Sequence, residues 1–422
     1  MKTIAIIIFA LTYILLLTFP KVRAYIALAS AALFVILGIL PVGEIIPTVD
    51  WNVIMMIAGT MGAVGLFIES KMPSLLADYI IEHMPNVKWT IIALSLFAGI
   101  ISAFVDNVAT VLMVAPVAVT IAKKLKISPV SSVIAIAISS NLQGAATLVG
   151  DTTSILLGGY ADMNFLDFFF MDGKVGIFWV VEAGALVSVF ILTYLFRKEK
   201  QPISALERTV VEDKIPTVLL VGIVVLLIGA SFIENKPDIT NGVICVSVFI
   251  VGLVRKMIKT KDRAAFLEAM KSIDYDTILL LTGLFIVIGG ITEVGLVNDI
   301  SQLFVHLSND NVFLIYTLIV WASVLFSAFI DNIPYVATML PVTAQIADLL
   351  GIEPNLLFFG LLIGATLGGN ITPIGASANI TGLGILRKEG YEVNAPTFMK
   401  ISIPFTLAAV VTGYVLNWFI WR

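Results

Sequence analysis

Two aspartates set the chemistry open to this sequence. Asp106 and Asp331 each precede an asparagine inside an apolar stretch, in Ser102-Ala103-Phe104-Val105-Asp106-Asn107 and Ser327-Ala328-Phe329-Ile330-Asp331-Asn332. A carboxylate at membrane depth costs roughly 2.5–3.5 kcal/mol on insertion scales, so it is retained for a partner, an ion or a proton. With Asn107 and Asn332 beside them, the two acids form matched sets of oxygen ligands for a cation such as Na⁺, or proton carriers. Asp before a new helix is also an ordinary N-cap, and capping is compatible with ion binding.

Two further segments interrupt apolar spans, at 141–154 (Asn-Leu-Gln-Gly-Ala-Ala-Thr-Leu-Val-Gly-Asp-Thr-Thr-Ser) and at 364–379, where Gly, Thr, Asn and Pro cluster. Such a composition cannot continue a helix through lipid, because freed N–H and C=O groups would go unpaired there. The backbone must line a cavity or be buried in protein, and its carbonyls and hydroxyls then suit a hard cation while the helix N-termini beyond favour negative groups. Asn141, Thr147, Gly150 and Asp151 are the candidates in the first segment, and Asn370, Thr372, Gly375, Ser377 and Asn379 in the second. Asp151 is matched by Ala376, which would make the two half-sites chemically unequal. Glu182, inside an apolar run, reads as a structural carboxylate or a proton site; Glu69 and Glu293 fall where spans end and read as interfacial. His83 and His306 read as surface residues, and Pro116 and Pro341 as kinks.

The elements that position these residues belong in lipid. Of 422 residues 59% are hydrophobic and 13% charged, and the mean hydropathy is +1.04, outside the range of a soluble domain. The first apolar run lacks a cleavage site and reads as a retained span. The single cysteine, Cys245, rules out a disulfide framework or thiolate cluster. A net charge of −4 leaves no basic patch for nucleic acid.

The two halves repeat. An offset of 225 carries Asp106 to Asp331, Pro116 to Pro341, Thr147 to Thr372 and Gly150 to Gly375; an offset of 224 carries Asp50 to Asp274 and Glu69 to Glu293. The stretch 89–122 would be about 51 Å long as one helix, too long for a single crossing. Lys88 stands before it and Lys123, Lys124 and Lys126 after it, so both ends belong on the cytoplasmic side and the stretch is a hairpin turning at Asp106. The stretch 311–350 repeats it around Asp331 and opens to the outside. Basic residues at 197–214 and 255–263 place both loops in the cytoplasm. Each half then has five spans plus one re-entrant helical hairpin, the five including a broken helix, and an odd number of crossings turns the second copy upside down. The expected fold is an all-α polytopic membrane protein of two inverted repeats, 1–196 and 215–422, joined by a cytoplasmic linker, 197–214. Segments 74–86 and 297–310 are amphipathic and fit helices lying along the interface.

Asp106-Asn107, Asp331-Asn332 and the stretch Gly368 to Asn379 resemble the ion-transporter superfamily of ArsB-type arsenite permeases, NhaD-type sodium/proton antiporters, the pigmentation P protein and the divalent-anion/sodium symporters. The resemblance covers nearly the whole chain and implies a homodimer with a fixed scaffold and an elevator-like transport domain built from both hairpins and both broken spans. In the symporters a Ser-Asn-Thr motif occupies the turn where this chain has Asp-Asn-Val and Asp-Asn-Ile, which speaks against a dicarboxylate. The four site segments hold Asp106, Asp151 and Asp331 and no Lys or Arg, so a cation is easier to accommodate than an anion. The expectation is a secondary active transporter of a small inorganic ion in the inner (plasma) membrane, coupled to Na⁺ or H⁺, with no cofactor. Asp106 and Asp331 would bind the ions in turn, and Asn107, Asn332, Thr147 and Thr372 would complete the coordination. Arsenite or antimonite efflux and cation-coupled carboxylate carriage are the alternatives. A membrane aspartyl protease is disfavoured by the lack of Gly-x-Gly-Asp around either aspartate; an ion channel is the harder class to exclude from sequence, and flux that saturates at low turnover would argue against it.

Overall fold

The computed structural model describes residues 1–202, 208–261 and 264–422. Part of the linker, 203–207, and Arg263 of the second basic loop lie outside the described residues. Ten helices precede the linker: α1 (Lys2–Thr18), α2 (Arg23–Ile36), α3 (Ile45–Thr48), α4 (Trp51–Glu69), α5 (Met72–Glu82), α6 (Val87–Ser102), α7 (Asn107–Leu125), α8 (Val130–Gly144), α9 (Thr152–Tyr160) and α10 (Ile177–Leu195). Ten follow it: α11 (Ile215–Ser231), α12 (Thr240–Thr260), α13 (Ala264–Lys271), α14 (Tyr275–Glu293), α15 (Leu296–Ser308), α16 (Val312–Ser327), α17 (Asn332–Leu350), α18 (Asn355–Leu362), α19 (Ser377–Lys388) and α20 (Ala395–Trp421). A two-residue antiparallel ribbon, Phe170–Met171 against Lys174–Val175, stands alone beside them.

The two sets correspond in order, and equivalent residues start equivalent helices. Asp50 caps α4 by accepting from Val53 N at 2.9 Å, and Asp274 caps α14 by accepting from Thr277 N at 3.2 Å. Asn86 does the same for α6 and Asn311 for α16. Each cap pairs one of the N–H groups that a helix start leaves unsatisfied. Near the end of α4, Gly65 packs on Ser272 just before α14; near the end of α14, Gly289 packs on Thr48 just before α4. These two equivalent helices therefore run in opposite directions against each other.

Among the described residues seven helices are long and apolar enough to cross a membrane, or nine when the bent pairs α1/α2 (112°) and α15/α16 (118°) each count as one span. Two of the seven, α7 and α17, are hairpin limbs; of the ten expected crossings α1, α2 and α11 are each 17 residues or shorter, and α8/α9 and α18/α19 are each split by the glycine-rich breaks. These broken spans are innermost. Every residue from Ser132 to Gly158 and from Asn355 to Asn370 is buried, so the first break and the start of the second lie in protein, while Ile374 in the second break is exposed. Glu182 is half-buried on α10, beside the exposed Trp179 and Leu186.

The described linker residues are clasped at both ends. Arg208 makes a two-pronged pair with Glu82 of α5, both contacts at 2.7 Å, and Asp213 binds Arg255 and Lys259 at the end of α12. Hydrogen bonds from Arg255 hold the Asp213 carboxyl well below the usual carboxylate range. Since the folded value lies below the unfolded one, this contribution is full at neutral pH and is lost as pH falls below 3.8 and through the folded value. Asp213→Asn is expected to lower the Tm in detergent by about two degrees at pH 7, the modest size reflecting a solvent-screened pair. That gap should narrow in a thermal series run downward in pH.

Candidate functional site

Each hairpin is broken by its Asp-Asn pair. Asp106 Oδ1 accepts from Val108 N at 3.0 Å and Ala109 N at 3.1 Å, which starts α7; Asp331 Oδ1 accepts from Ile333 N at 3.1 Å, which starts α17. Both aspartates are thus N-caps, and each capping contact engages Oδ1 alone. The remaining oxygens differ. Asp331 Oδ2 forms an ion pair with Arg23 of α2, whereas Asp106 Oδ2 meets no donor among the described residues.

Beneath the hairpins the two breaks are built alike. Thr147 Oγ1 donates to the Ala103 carbonyl that ends the first limb of one hairpin, and Thr372 Oγ1 donates to the equivalent Ala328 carbonyl. A Cβ on Gly150 would lie 2.8 Å from the Ser102 and Ala103 oxygens, and one on Gly375 2.7 and 2.8 Å from those of Ser327 and Ala328, so only glycine lets each break approach its hairpin. Within the first half, Asn107 Nδ2 donates to Asn141 Oδ1 at 2.9 Å, and Asn141 carries the link on to the second. Asn141 Nδ2 donates to the Thr366 carbonyl at 2.7 Å and to Asn370 Oδ1 at 3.1 Å, and Asn370 Nδ2 returns to the Ile138 carbonyl at 2.9 Å. The turn 363–367 is π-helical and supplies that Thr366 carbonyl. Thr153 Oγ1 joins the halves again, 3.2 Å from Asp151 Oδ2 and 2.9 Å from Thr366 Oγ1. Asn379 Nδ2 donates to the Gly369 and Thr372 carbonyls.

Above this layer lies a cavity of about 360 Å³. Asp106, Asn107, Asp151, Asn332 and Ser377 line it, so both hairpin turns and both breaks meet at one chamber. Its remaining polar wall is Thr152 of α9, Lys271 at the end of α13, Ser272 and Asp274 of the loop that follows, and Thr277 in the first turn of α14. Lys271 and Asp274 are exposed and mark the opening, at the end of the fold that carries Arg255, Lys256 and Lys259.

Placement divides the candidates from sequence. Thr147, Thr372, Asn141, Asn370, Asn379 and Gly375 are not in the cavity wall; they hold the breaks and hairpins together, and the two threonine hydroxyls are engaged on backbone oxygens. Gly150 lines a smaller void shared with Asp106 and Asp151. Asp331 is turned onto Arg23. The four segments themselves hold no Lys or Arg, but two cations come from elements outside them: Lys271 lines the cavity and Arg23 pairs with Asp331. Asp274 and Thr277 were likewise not site candidates by sequence; Asp274 stood out only as the repeat partner of Asp50.

Comparison with known proteins places this architecture among transporters. The Alcanivorax borkumensis YdaH transporter superposes with a TM-score of 0.60 at 16% identity, covering 89% of this chain and 86% of that one. Neisseria gonorrhoeae MtrF, described as illuminating a class of antimetabolite efflux pumps, gives 0.55 at 16% identity, covering 87% and 80%. At that identity the likeness concerns the fold. In sequence, an uncharacterised transporter of Mycobacterium tuberculosis is 30% identical over 99% of this chain and 98% of its own length. The human P protein is 26% identical over 92% of this chain and 56% of its own length. Residues 13–364 match the family described as CitMHS, citrate transporter. With the fold, the near full-length relatives and this match in agreement, the chain belongs to the citrate transporter (CitMHS) family of membrane transporters.

Proposed function

We propose that this secondary transporter is driven by a coupling cation, Na⁺ or H⁺, held at the cavity wall by Asp106 and Asp151 with Asn107 and Asn332 close by. The observation that carries the reading is the free Oδ2 of Asp106. Asp106 lines a chamber where Asp151 and Asp274 add negative charge and, among the described residues, Lys271 is the one cation. A carboxylate oxygen kept in a membrane protein without a donor is matched to a mobile cation. Coupled Na⁺/H⁺ exchange, with Asp106 and Asp331 binding ions in turn, is the simplest transport cycle this arrangement supports. The family match and the presence of Lys271 favour a second reading, a small carboxylate carried together with the cation.

Alternating access would come from two inverted copies, 1–196 and 215–422, joined by the linker 197–214. The antiparallel packing of α4 and α14 supports that plan, as does the meeting of both breaks at one chamber. With the basic ends of α12 and the linker in the cytoplasm, this conformation is open inward, and α5 and α15 are the arms of an elevator-like movement. A homodimer in the plasma membrane completes the proposal. Purified protein in liposomes, screened with Na⁺, Li⁺, pH, arsenite and citrate in turn, tests it. Proton movement that depends on Na⁺ or Li⁺, or citrate flux that depends on Na⁺, Li⁺ or pH, is the expected result; arsenite flux indifferent to all three cations would overturn it.

A further inference from the structure

Arg23 opens α2, far in sequence from either break, yet its Nη1 pairs with Asp331 Oδ2 at the tip of the second hairpin. Its Nη2 donates to Thr277 Oγ1 at 3.3 Å, and that hydroxyl donates to Asp274 Oδ2 at 2.7 Å. One guanidinium thus joins two carboxylates on different elements, Asp331 directly and Asp274 through a hydroxyl. The side chains of the pair are only 20% and 22% exposed, which limits screening by water.

The arrangement is one-sided. The repeat partner of Asp331 is Asp106, which forms no ion pair among the described residues. The partner of Arg23 follows from helix contacts: Gly283 of α14 faces Ala27 and Leu28 of α2, while Gly59 of α4 faces Cys245 and Val246 of α12. That register carries Arg23 onto Asn241, a neutral residue.

We infer that Arg23 is a tethered counter-cation. In this open state it fills the half-site at Asp331 that a mobile cation takes in the opposite state, and the cation that arrives there displaces it and releases the hairpin from α2 and α14. The inference rests on the reading of Asp331 as a cation half-site. A guanidinium does not lose its proton in proteins, so it neutralises Asp331 whenever that carboxylate is ionised and competes with a metal cation by charge. Because half-site one lacks such a competitor, the empty carrier is biased toward the open state seen here.

The test reads conformation, not flux. Ser272→Cys at the cavity wall is labelled with a polar maleimide in full-length protein in nanodiscs, with Cys245→Ser to remove the one native thiol. Arg23→Gln should lower the labelling rate by about threefold or more as the population leaves the open state. Arg23→Lys should restore most of it. Added Na⁺ or Li⁺ should slow labelling of the Arg23 protein and have little further effect on Arg23→Gln. An unchanged rate in Arg23→Gln, or equal change in the Gln and Lys variants, overturns the latch. A rate that falls with Arg23→Gln but ignores both cations overturns the cation half-site at Asp331 and leaves Arg23 as the latch. If Arg23→Gln does not fold, Asp331→Asn breaks the same pair and is read the same way.

Discussion

Asp106→Asn should give a folded, membrane-inserted protein whose cation-coupled flux is about 10- to 100-fold lower at subsaturating cation. Folding should survive because asparagine caps a helix about as well as aspartate, and the cap at Val108 and Ala109 engages only Oδ1. Flux should not survive, because the substitution removes the charge of the oxygen that faces the cavity unpaired. A charge-assisted contact contributes about 1.5–3 kcal/mol, which is about one to two orders of magnitude in affinity. Asp331→Asn is chemically the same change at the repeat-equivalent position but should behave differently, since it frees Arg23 in addition to neutralising a half-site. Initial rates in proteoliposomes against cation concentration separate the two. Equal effects of both variants would mean that the halves work as equals, contrary to the asymmetry described above.

Asn141→Ala should be the most damaging single change to stability among the site residues. The Asn141 carboxamide is fully buried and ties Asn107 of the first hairpin to Thr366 and Asn370 of the second break. Alanine leaves an amide donor, a backbone carbonyl and a side-chain oxygen without partners, each costing about 1–3 kcal/mol when buried. Contacts inside membrane proteins average nearer 0.6 kcal/mol, so a total of about 3 kcal/mol is expected and not the full sum. Ser95→Ala is the control: its hydroxyl donates only to the Ile91 carbonyl of its own helix at 2.7 Å, and its loss should cost less than about 0.5 kcal/mol. Thermal unfolding in detergent compares them. Equal Tm values would show that the cross-half network carries no weight.

Much of this was legible in the chain because lipid penalises the features that mark the site. A carboxylate or a glycine-rich break inside an apolar run has few permitted surroundings, so Asp106, Asp331, Asp151 and both breaks announce themselves, and the 225-residue offset pairs them. The matched N-caps and the matched Gly150 and Gly375 contacts follow from that pairing. Arg23 was not legible as a site residue. At the start of an apolar span it reads as an ordinary cytoplasmic flanking charge, and its partner lies 308 residues away. Lys271, Asp274 and Thr277 were missed for the same reason: they sit at the edge of a span and acquire a role only when α4 and α14 bring that edge to the hairpin turns. The division of labour between Asp106, which faces the cavity, and Thr147, which holds a hairpin carbonyl, depends on side-chain direction, which spacing alone does not give.

Equilibrium binding of radioactive Na⁺ to the purified protein, measured beside Asp106→Asn at neutral pH and without any transported substrate, examines the free carboxylate most directly. Saturable binding that protons displace and that Asp106→Asn loses is the predicted result. Binding that Asp106→Asn retains in full, or none at all by a protein that moves Na⁺ across liposomes, would contradict the assignment of the cation to Asp106.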